Sequence, residues 1–336
     1  MRFPRMLGVY MDDSASSLYR IIRPMKALQD AGFPAGYAHV DSVDDRMLSL
    51  YDAVVVLRTG NGDPQRIRAA LQLAKQQCKV VWLDYDDDVL HVPDHNPGRP
   101  TGIDGVLAAL DEAHGVVVTN RVLASVFRPY AKQLAIIPNY IDPQSWPTKT
   151  PRYSPKLTVG ITGTASHGKD WEIIAEPMRR IRQRHDVEFL VGGFLPSYLE
   201  DSVSIFVDWL PLDQYPYMVN SIDIALCPLR DDAFNRGKTP IKALEAGLAG
   251  AAVVASPTQY ADVVRGKGTI ARTEAEWEAA IEKYIVDDHK RRIAQVMLRV
   301  YVEKRWDVYR HVDSLVEGYK ALYYRCIGPM TKARAA

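Results

Sequence analysis

Between Pro228 and Gly250 the sequence PLRDDAFNRGKTPIKALEAGLAG sets Asn235, Arg236, Gly237, Lys238 and Thr239 just before Pro240 and a helix-like run containing Glu245. These residue types suit an anion and a pair of hydroxyls. Proline is tolerated in the first turn of a helix because its missing N–H would have no partner there. The remaining first-turn N–H groups, with the positive end of the helix dipole, then face the polar stretch. Lys238 adds a full charge to that partial one, so the arrangement suits phosphate. Glu245, further along the helix, offers a carboxylate able to accept two hydrogen bonds from vicinal hydroxyls such as those of a ribose. The bland alternative is an ordinary strand-loop-helix with a solvated basic loop and a surface glutamate.

A second cluster is Gly163, Thr164, His167 and Lys169 in ITGTASHGKDWEII, with Asp170 or Ser166 as the expected start of the following helix. A small loop carrying His and Lys suits a leaving pyrophosphate, whose developing charge must be stabilised without water. DDSASS, Asp12 to Ser17, supplies hydroxyls at Ser14 and Ser16 that can bond a sugar or phosphate, although serine is also an ordinary helix starter. DYDDDVLHVPDHNP, Asp84 to Pro97, brings together Asp86, Asp87, Asp88, His91 and His95. Consecutive carboxylates in a short loop converge poorly on one ion, so no metal site is expected. Asp86 or Asp88 is instead read as an acceptor-hydroxyl contact and His91 or His95 as a proton handler.

Elements must hold these residues in place, and the hydrophobic pattern supplies them. Apolar runs at Met6–Met11, Tyr37–Val40, Ala53–Leu57, Val80–Leu83, Val116–Thr119 and Leu134–Ile137 alternate with amphipathic stretches at Leu18–Ala31, Pro64–Gln77, Ile103–Glu112 and Val122–Ala131. After PNYIDPQSWPTKTPRYSPK, Pro138 to Lys156, a proline-rich linker, a second cycle runs through Leu157–Thr162, Glu188–Val191, Val203–Val207, Ile222–Cys227 and Ala252–Ala255. A weak strand at Thr269–Ala271 closes it. The expected fold is α/β, two Rossmann-like domains in tandem, spanning residues 1–145 and 156–300. From Val302 to Ile327 the residues Val302, Trp306, Tyr309, Val312, Val316, Tyr319 and Tyr323 form one helical stripe. This stripe, within a segment taken as 301–327, is expected to pack back on the N-terminal domain, with homodimerisation as the alternative.

Composition narrows the function classes. The chain of 336 residues has 42 Lys plus Arg against 41 Asp plus Glu, which gives no global drive toward nucleic acid or membrane. Cys78, Cys227 and Cys326 are odd in number and far apart, so they read as reduced, buried thiols rather than disulfides or a zinc site. No apolar run approaches membrane-spanning length, and MRFPRMLGVYMDDSAS lacks a long apolar core with a cleavage site. A cytoplasmic location is expected.

IIPNYID (Ile136 to Asp142), VGITGTASHGKD (Val159 to Asp170) and FNRGKTPIKALEAGLAGAAVVAS (Phe234 to Ser256), on two Rossmann-like domains, resemble the GT-B fold glycosyltransferases of the retaining group 1, family 4-like kind. The segment Asp84 to Pro97 is similar to the acidic strand-end loop of a bacterial and phage subset. The resemblance implies sugar transfer from a nucleoside diphosphate sugar, UDP- or GDP-linked, to a hydroxyl acceptor, without an obligatory metal or other cofactor. It implies a donor site on the C-terminal domain and an acceptor site on the N-terminal one. Such enzymes carry two glutamates, the first touching the sugar and the second the ribose. Glu245 matches the second, and Gly237 stands where the first would be, leaving Lys238 and backbone amides for the diphosphate. His167 and Lys169 would serve the leaving phosphate. Three other readings share these features: a phage-type enzyme acting on hydroxymethylated DNA bases through the basic runs MRRIRQRH (Met178 to His185) and HKRR (His289 to Arg292), a nucleotide-sugar epimerase, and a non-catalytic nucleotide-sugar binding module.

Overall fold

Val- and Ile-rich runs with little internal alternation need cover on both faces, which crossover helices of a parallel sheet provide. In the computed structural model, residues 2–58, 64–77, 80–99, 103–149 and 156–335 are described. The first half forms β1 (Met6–Tyr10), β2 (Ala35–His39), β3 (Ala53–Leu57), β4 (Val80–Tyr85), β5 (Gly115–Val118) and β6 (Leu134–Ile136). These make one six-stranded parallel sheet in the order β2-β1-β3-β4-β5-β6. The second half forms β7 (Thr158–Gly163), β8 (Glu188–Gly193), β9 (Ile205–Val207), β10 (Ile224–Cys227), β11 (Ala252–Ala255) and β12 (Thr269–Ile270). They make a second parallel sheet in the order β12-β11-β10-β7-β8-β9. Each strand falls on one of the apolar runs read from the sequence, and β3 and β11 match residue for residue. Cys78 and residues 150–155 of the proline-rich linker lie outside the described residues.

Both sheets contain a point where successive strands are added on opposite sides of the first strand. In the first sheet it lies between β1 and β3, and in the second between β7 and β10. Loops leaving the carboxyl ends of the two strands diverge there and open a crevice, the usual ligand position of open α/β sheets. The chain divides into two compact units, one made of Met1–Pro93, Gly98–Ile141 and Val308–Ala336, the other of Asp94–Pro97 and Asp142–Asp307.

The expected single C-terminal helix is two helices. One, Asp288–Arg305, belongs to the second unit, and the other, Val312–Ala335, to the first. Trp306 leaves the helical region and the Val308 N–H bonds the Ile141 carbonyl at 2.9 Å instead of continuing the helical ladder. No glycine or proline marks this break, so periodicity carried the stripe across it. Beyond the break the buried line is Leu315, Tyr319, Leu322 and Cys326; Tyr319 was expected there, whereas the expected Val312, Val316 and Tyr323 are half-buried. Trp82, fully buried in β4, stacks on Tyr319 with ring centroids 6.0 Å apart, and its Nε1–H points to Cys326 Sγ at 3.4 Å. The helix thus covers one face of the first sheet.

Local helix geometry also departs from the regular pattern. The amphipathic stretch after β1 runs Ala15–Ser17, a π-helical turn Leu18–Ile22, then Arg23–Asp30. Tyr19, Arg20 and Ile21 are all buried. Three consecutive inward residues exceed what one face of a regular α-helix presents; the wider turn supplies it.

Candidate functional site

In the second unit the residues after β10 fold more tightly than a plain polar loop. Asp232 caps a short turn, Ala233–Arg236, by accepting from Asn235 N at 2.8 Å. Helix Ile241–Leu248 follows with Pro240 as its N-cap, one position earlier than expected, and no side chain caps that end. Glu245 on this helix is 2% exposed. Its Oε2 accepts from Tyr215 Oη at 2.8 Å and from Lys242 Nζ at 3.1 Å, and Lys242 also donates to Tyr215 Oη at 2.8 Å. Thr162 Oγ1, at the end of β7, lies 2.9 Å from the same phenol oxygen. A phenol has one proton, and Tyr215 gives it to Glu245, so Thr162 must be the donor in that contact. Burial, reinforced by the Glu245 charge, pushes the Tyr215 hydroxyl well above its ordinary pKa and keeps the proton in place.

Beyond Thr162 and Gly163, the chain turns through Ala165–His167. His167 Nδ1 lies 2.9 Å from Asp170 Oδ2. Asp170 was expected, with Ser166, as a helix starter; the helix Glu172–Arg184 instead begins at Trp171 without a side-chain cap. Asp170 is buried, and its Oδ1 accepts from Asn235 Nδ2 at 2.7 Å and Arg230 N at 3.0 Å. It locks the β7 loop to the β10 loop. Burial lowers the His167 pKa, the Asp170 hydrogen bond opposes this, and the Lys238 and Lys242 charges push it down further. The imidazole is therefore neutral at pH 7. A carboxylate only accepts, so Nδ1 carries the proton and Nε2 holds the lone pair. Thr162, His167, Tyr215, Lys242, Cys227 and Tyr260 line a cavity of ≈ 20 Å³, room for one water, at the β7/β10 switch point. Burial raises the Cys227 thiol to about 12, so it is an inert wall and not a nucleophile.

The first unit gathers its own polar groups at the β1/β3 switch point. Ser16 Oγ donates to Asp86 Oδ2 at 2.5 Å. Arg58, directly after β3, donates to Asp86 at 3.0 Å through Nε and to Asp87 at 3.0 Å through Nη2. Beneath them, Arg20 and Asp84 form a fully buried two-pronged ion pair at 2.7 and 2.8 Å. Arg20 Nη1 also donates to the Ile137 carbonyl and to Asn139 Oδ1, both at 2.8 Å. The PNY segment is thereby tied to the end of β4.

Residues 156–287 match the family profile described as glycosyl transferases group 1. The second unit is a group 1 glycosyltransferase domain. Solved structures similar to this chain extend the likeness across both units. HepE of Anabaena, solved in complex with UDP, aligns over 96% of this chain and 100% of its own at 14% identity and a TM-score of 0.64. The Escherichia coli trehalose-6-phosphate protein bound with UDP-2-fluoro glucose covers 94% and 99% at 12% identity and 0.63. T4 phage BGT in complex with its UDP-glucose substrate covers 95% and 99% at 12% identity and 0.61. The chain has the GT-B fold. No curated protein matches it by sequence.

Within the group 1 domain the sequence-named residues separate. His167 and Thr162 line the cavity and Glu245 bonds its wall residues Tyr215 and Lys242, whereas Lys169 points outward to Glu172 at 2.7 Å and Arg236 to Asp231 at 2.8 Å. Lys238 Nζ sits over the Phe234 ring, 4.5 Å from its centroid. Thr164 Oγ1 and Ser166 Oγ bond each other at 2.7 Å in an exposed position. Asn235 is buried and spends its amide on Asp170, Arg230 and Asp232. Gly237 has φ −79°, a conformation open to any residue, so its lack of a side chain is not a backbone requirement.

In the first unit, Ser14 caps the helix that starts at Ala15. Asp88 is buried and accepts from Leu90 N, His91 N and His91 Nδ1. His91 is exposed, as is His95 in the Asp94–Pro97 segment of the second unit. Among the described residues no group of His, Cys, Asp or Glu is arranged to hold a metal ion. Sequence reasoning did not single out Tyr215, Lys242, Arg58 or Arg20, and it read Asp170 only as a helix start. Only Lys242, three residues before Glu245 on the same helix face, carried a local signal.

Proposed function

We propose that the protein is a glycosyltransferase that moves a sugar from a UDP-linked donor to a hydroxyl acceptor. The observation that carries this reading is Glu245, buried at the β7/β10 crevice and oriented by Tyr215 and Lys242. Three solved proteins of the same fold hold UDP or a UDP-sugar, which favours uridine over guanosine. Glu245 accepts the ribose hydroxyls. Lys238, Lys242 and the uncapped start of helix Ile241–Leu248 neutralise the diphosphate. His167 and Thr162 meet its terminal phosphate. As the sugar C1–O bond breaks, its electron pair goes to that phosphate, whose new charge these groups stabilise. The acceptor oxygen bonds C1, and its proton passes to the departing phosphate oxygen. The acceptor hydroxyl belongs to the first unit, near Ser16, Asp86 and Arg58, and retention of the anomeric configuration follows the group 1 resemblance. A thermal-shift panel tests the donor: UDP and UDP-sugars should raise the melting temperature by mass action, and no shift with any nucleotide at millimolar concentration defeats the reading.

His167 gives this site a proton signature. Its pKa is depressed in the free protein, and a diphosphate beside Nε2 raises it, so UDP binding near pH 6.5 should take up a fraction of one proton. Calorimetry in buffers of different ionisation enthalpy measures this. No uptake, or release, detaches His167 from the diphosphate.

Transfer should persist in excess EDTA. The proposed charge partners of the diphosphate are lysines and amides, and Asp84, Asp86, Asp87 and Asp88 are each held by cations or N–H groups of their own. Complete loss restored by Mg²⁺ would shift the catalytic centre to those aspartates. DNA as acceptor gains no support from the Met178–His185 run: Arg180 pairs with Glu176 and Glu278, and Arg184 with Glu278 and Glu282.

A further inference from the structure

Helix Asp288–Arg305 has two apolar faces where a surface helix normally has one. Arg291, Ala294, Leu298 and Val302 are buried; Leu298 and Val302 lie against Gly247, where a Cβ would come within 2.9 and 3.1 Å of them. On the outer side Ile293, Val296, Met297 and Val300 stand 44%, 62%, 46% and 40% exposed. Their i, i+3, i+4, i+7 spacing makes a continuous stripe roughly 10 Å long. Val286, 67% exposed, lies at the end of the preceding helix. Lys290, Arg292, Arg299 and Lys304 rim the stripe, and Asp288 and Glu303 are the helix's own carboxylates. The ion pairs Lys290–Asp287, Arg292–Asp288 and Arg299–Glu303 lie at the surface, where such pairs hold a side chain only weakly. The helix as a whole remains cationic.

We propose that this outer face docks on an anionic phospholipid bilayer, the aliphatic stripe entering the headgroup boundary and the Lys/Arg rim meeting lipid phosphates. This goes beyond the donor reading and does not depend on it. An apolar stripe with a basic rim is the pattern of helices that lie in the membrane interface. Charge complementarity selects this occupant over a second copy, because a symmetric stripe-on-stripe pairing sets one basic rim against the other. Nucleic acid would satisfy the cations and leave the aliphatic centre against a polar backbone. Among the described residues no helix is long and apolar enough to cross a membrane, so the contact is peripheral.

The test is co-sedimentation of the full chain with vesicles of phosphatidylglycerol mixed with phosphatidylcholine, and with phosphatidylcholine alone. Binding to the anionic vesicles should exceed that to neutral ones by about tenfold or more and weaken with salt. Val296→Asp combined with Met297→Asp should reduce it by about tenfold, and Lys290→Glu with Arg292→Glu should do the same from the electrostatic side. All four positions are exposed, so the variants keep the parent melting temperature and a folding defect is recognisable. Equal binding to neutral vesicles, or binding unaffected by either pair, overturns the proposal. A dimer in light scattering that Val296→Asp dissolves, without vesicle binding by the parent, assigns the stripe to a second copy and overturns it too.

Discussion

Glu245→Gln is expected to lower the affinity for UDP by on the order of 2 kcal/mol, about thirtyfold, while the protein stays folded. The carboxylate accepts from ribose hydroxyls as a charged group, and charge-assisted hydrogen bonds exceed neutral ones. Glutamine keeps the shape and one carbonyl oxygen, so Tyr215 and Lys242 retain an acceptor. Alanine is the poorer probe. It would leave Tyr215 Oη and Lys242 Nζ short of a partner beside the cavity and cost about 1–3 kcal/mol of stability, mixing a folding defect into the binding defect. Titration calorimetry with UDP, together with a melting curve, separates the two. A folded glutamine variant with the parent affinity removes Glu245 from the ribose.

The largest loss of stability should come from Arg20→Met. Methionine fills the space of the arginine stem and leaves Asp84, a fully buried carboxylate, without its hydrogen-bonded cation, while Asn139 Oδ1 and the Ile137 carbonyl lose this donor. Breaking a buried pair on one side costs about 3–5 kcal/mol, a large share of the roughly 5–15 kcal/mol that holds a domain together. Changing Asp84 to leucine in the same variant should recover part of the loss, because two apolar groups need no compensating charge. Urea denaturation of the single and double variants checks both statements. A single variant within about 1 kcal/mol of the parent would mean that the pair is not held as the geometry describes.

The strands and their parallel order were legible because unbroken valine-rich runs such as Val54–Val56 and Val80–Val81 fit few environments other than a doubly covered sheet. The start of the Glu245 helix was legible for a similar reason: proline at a helix start obeys a local rule. What stayed hidden depends on distance along the chain. Tyr215 reaches Glu245 across 30 residues and Arg58 reaches Asp86 across 28, and no spacing rule connects them. Asp170 looked like a helix cap because caps are read from neighbours, whereas its partners Arg230 and Asn235 come from the next strand's loop. The split of the last helix was invisible for a different reason: a tertiary acceptor, the Ile141 carbonyl, ended it where the local sequence favoured continuation.

The π-helical turn Leu18–Ile22 makes the first unit sensitive to chain length in a way that substitutions do not reveal. Such a turn holds one residue more than the α-helical ladder needs, so deleting one residue from it leaves a regular helix of good propensity. The segment before the deletion then keeps nearly its original phase about the helix axis, because the wide turn and the α-turn that replaces it each close one turn of helix. With Arg23–Asp30 held by its packing, Ser14 and Ser16 keep their side of the helix, and the loss falls on the turn itself, where a regular helix cannot face Tyr19, Arg20 and Ile21 inward together. A one-residue deletion at this turn therefore leaves the β1 loop in register and is felt inside, where the surplus residue is the setting that lets the buried arginine share the inward face with both its neighbours.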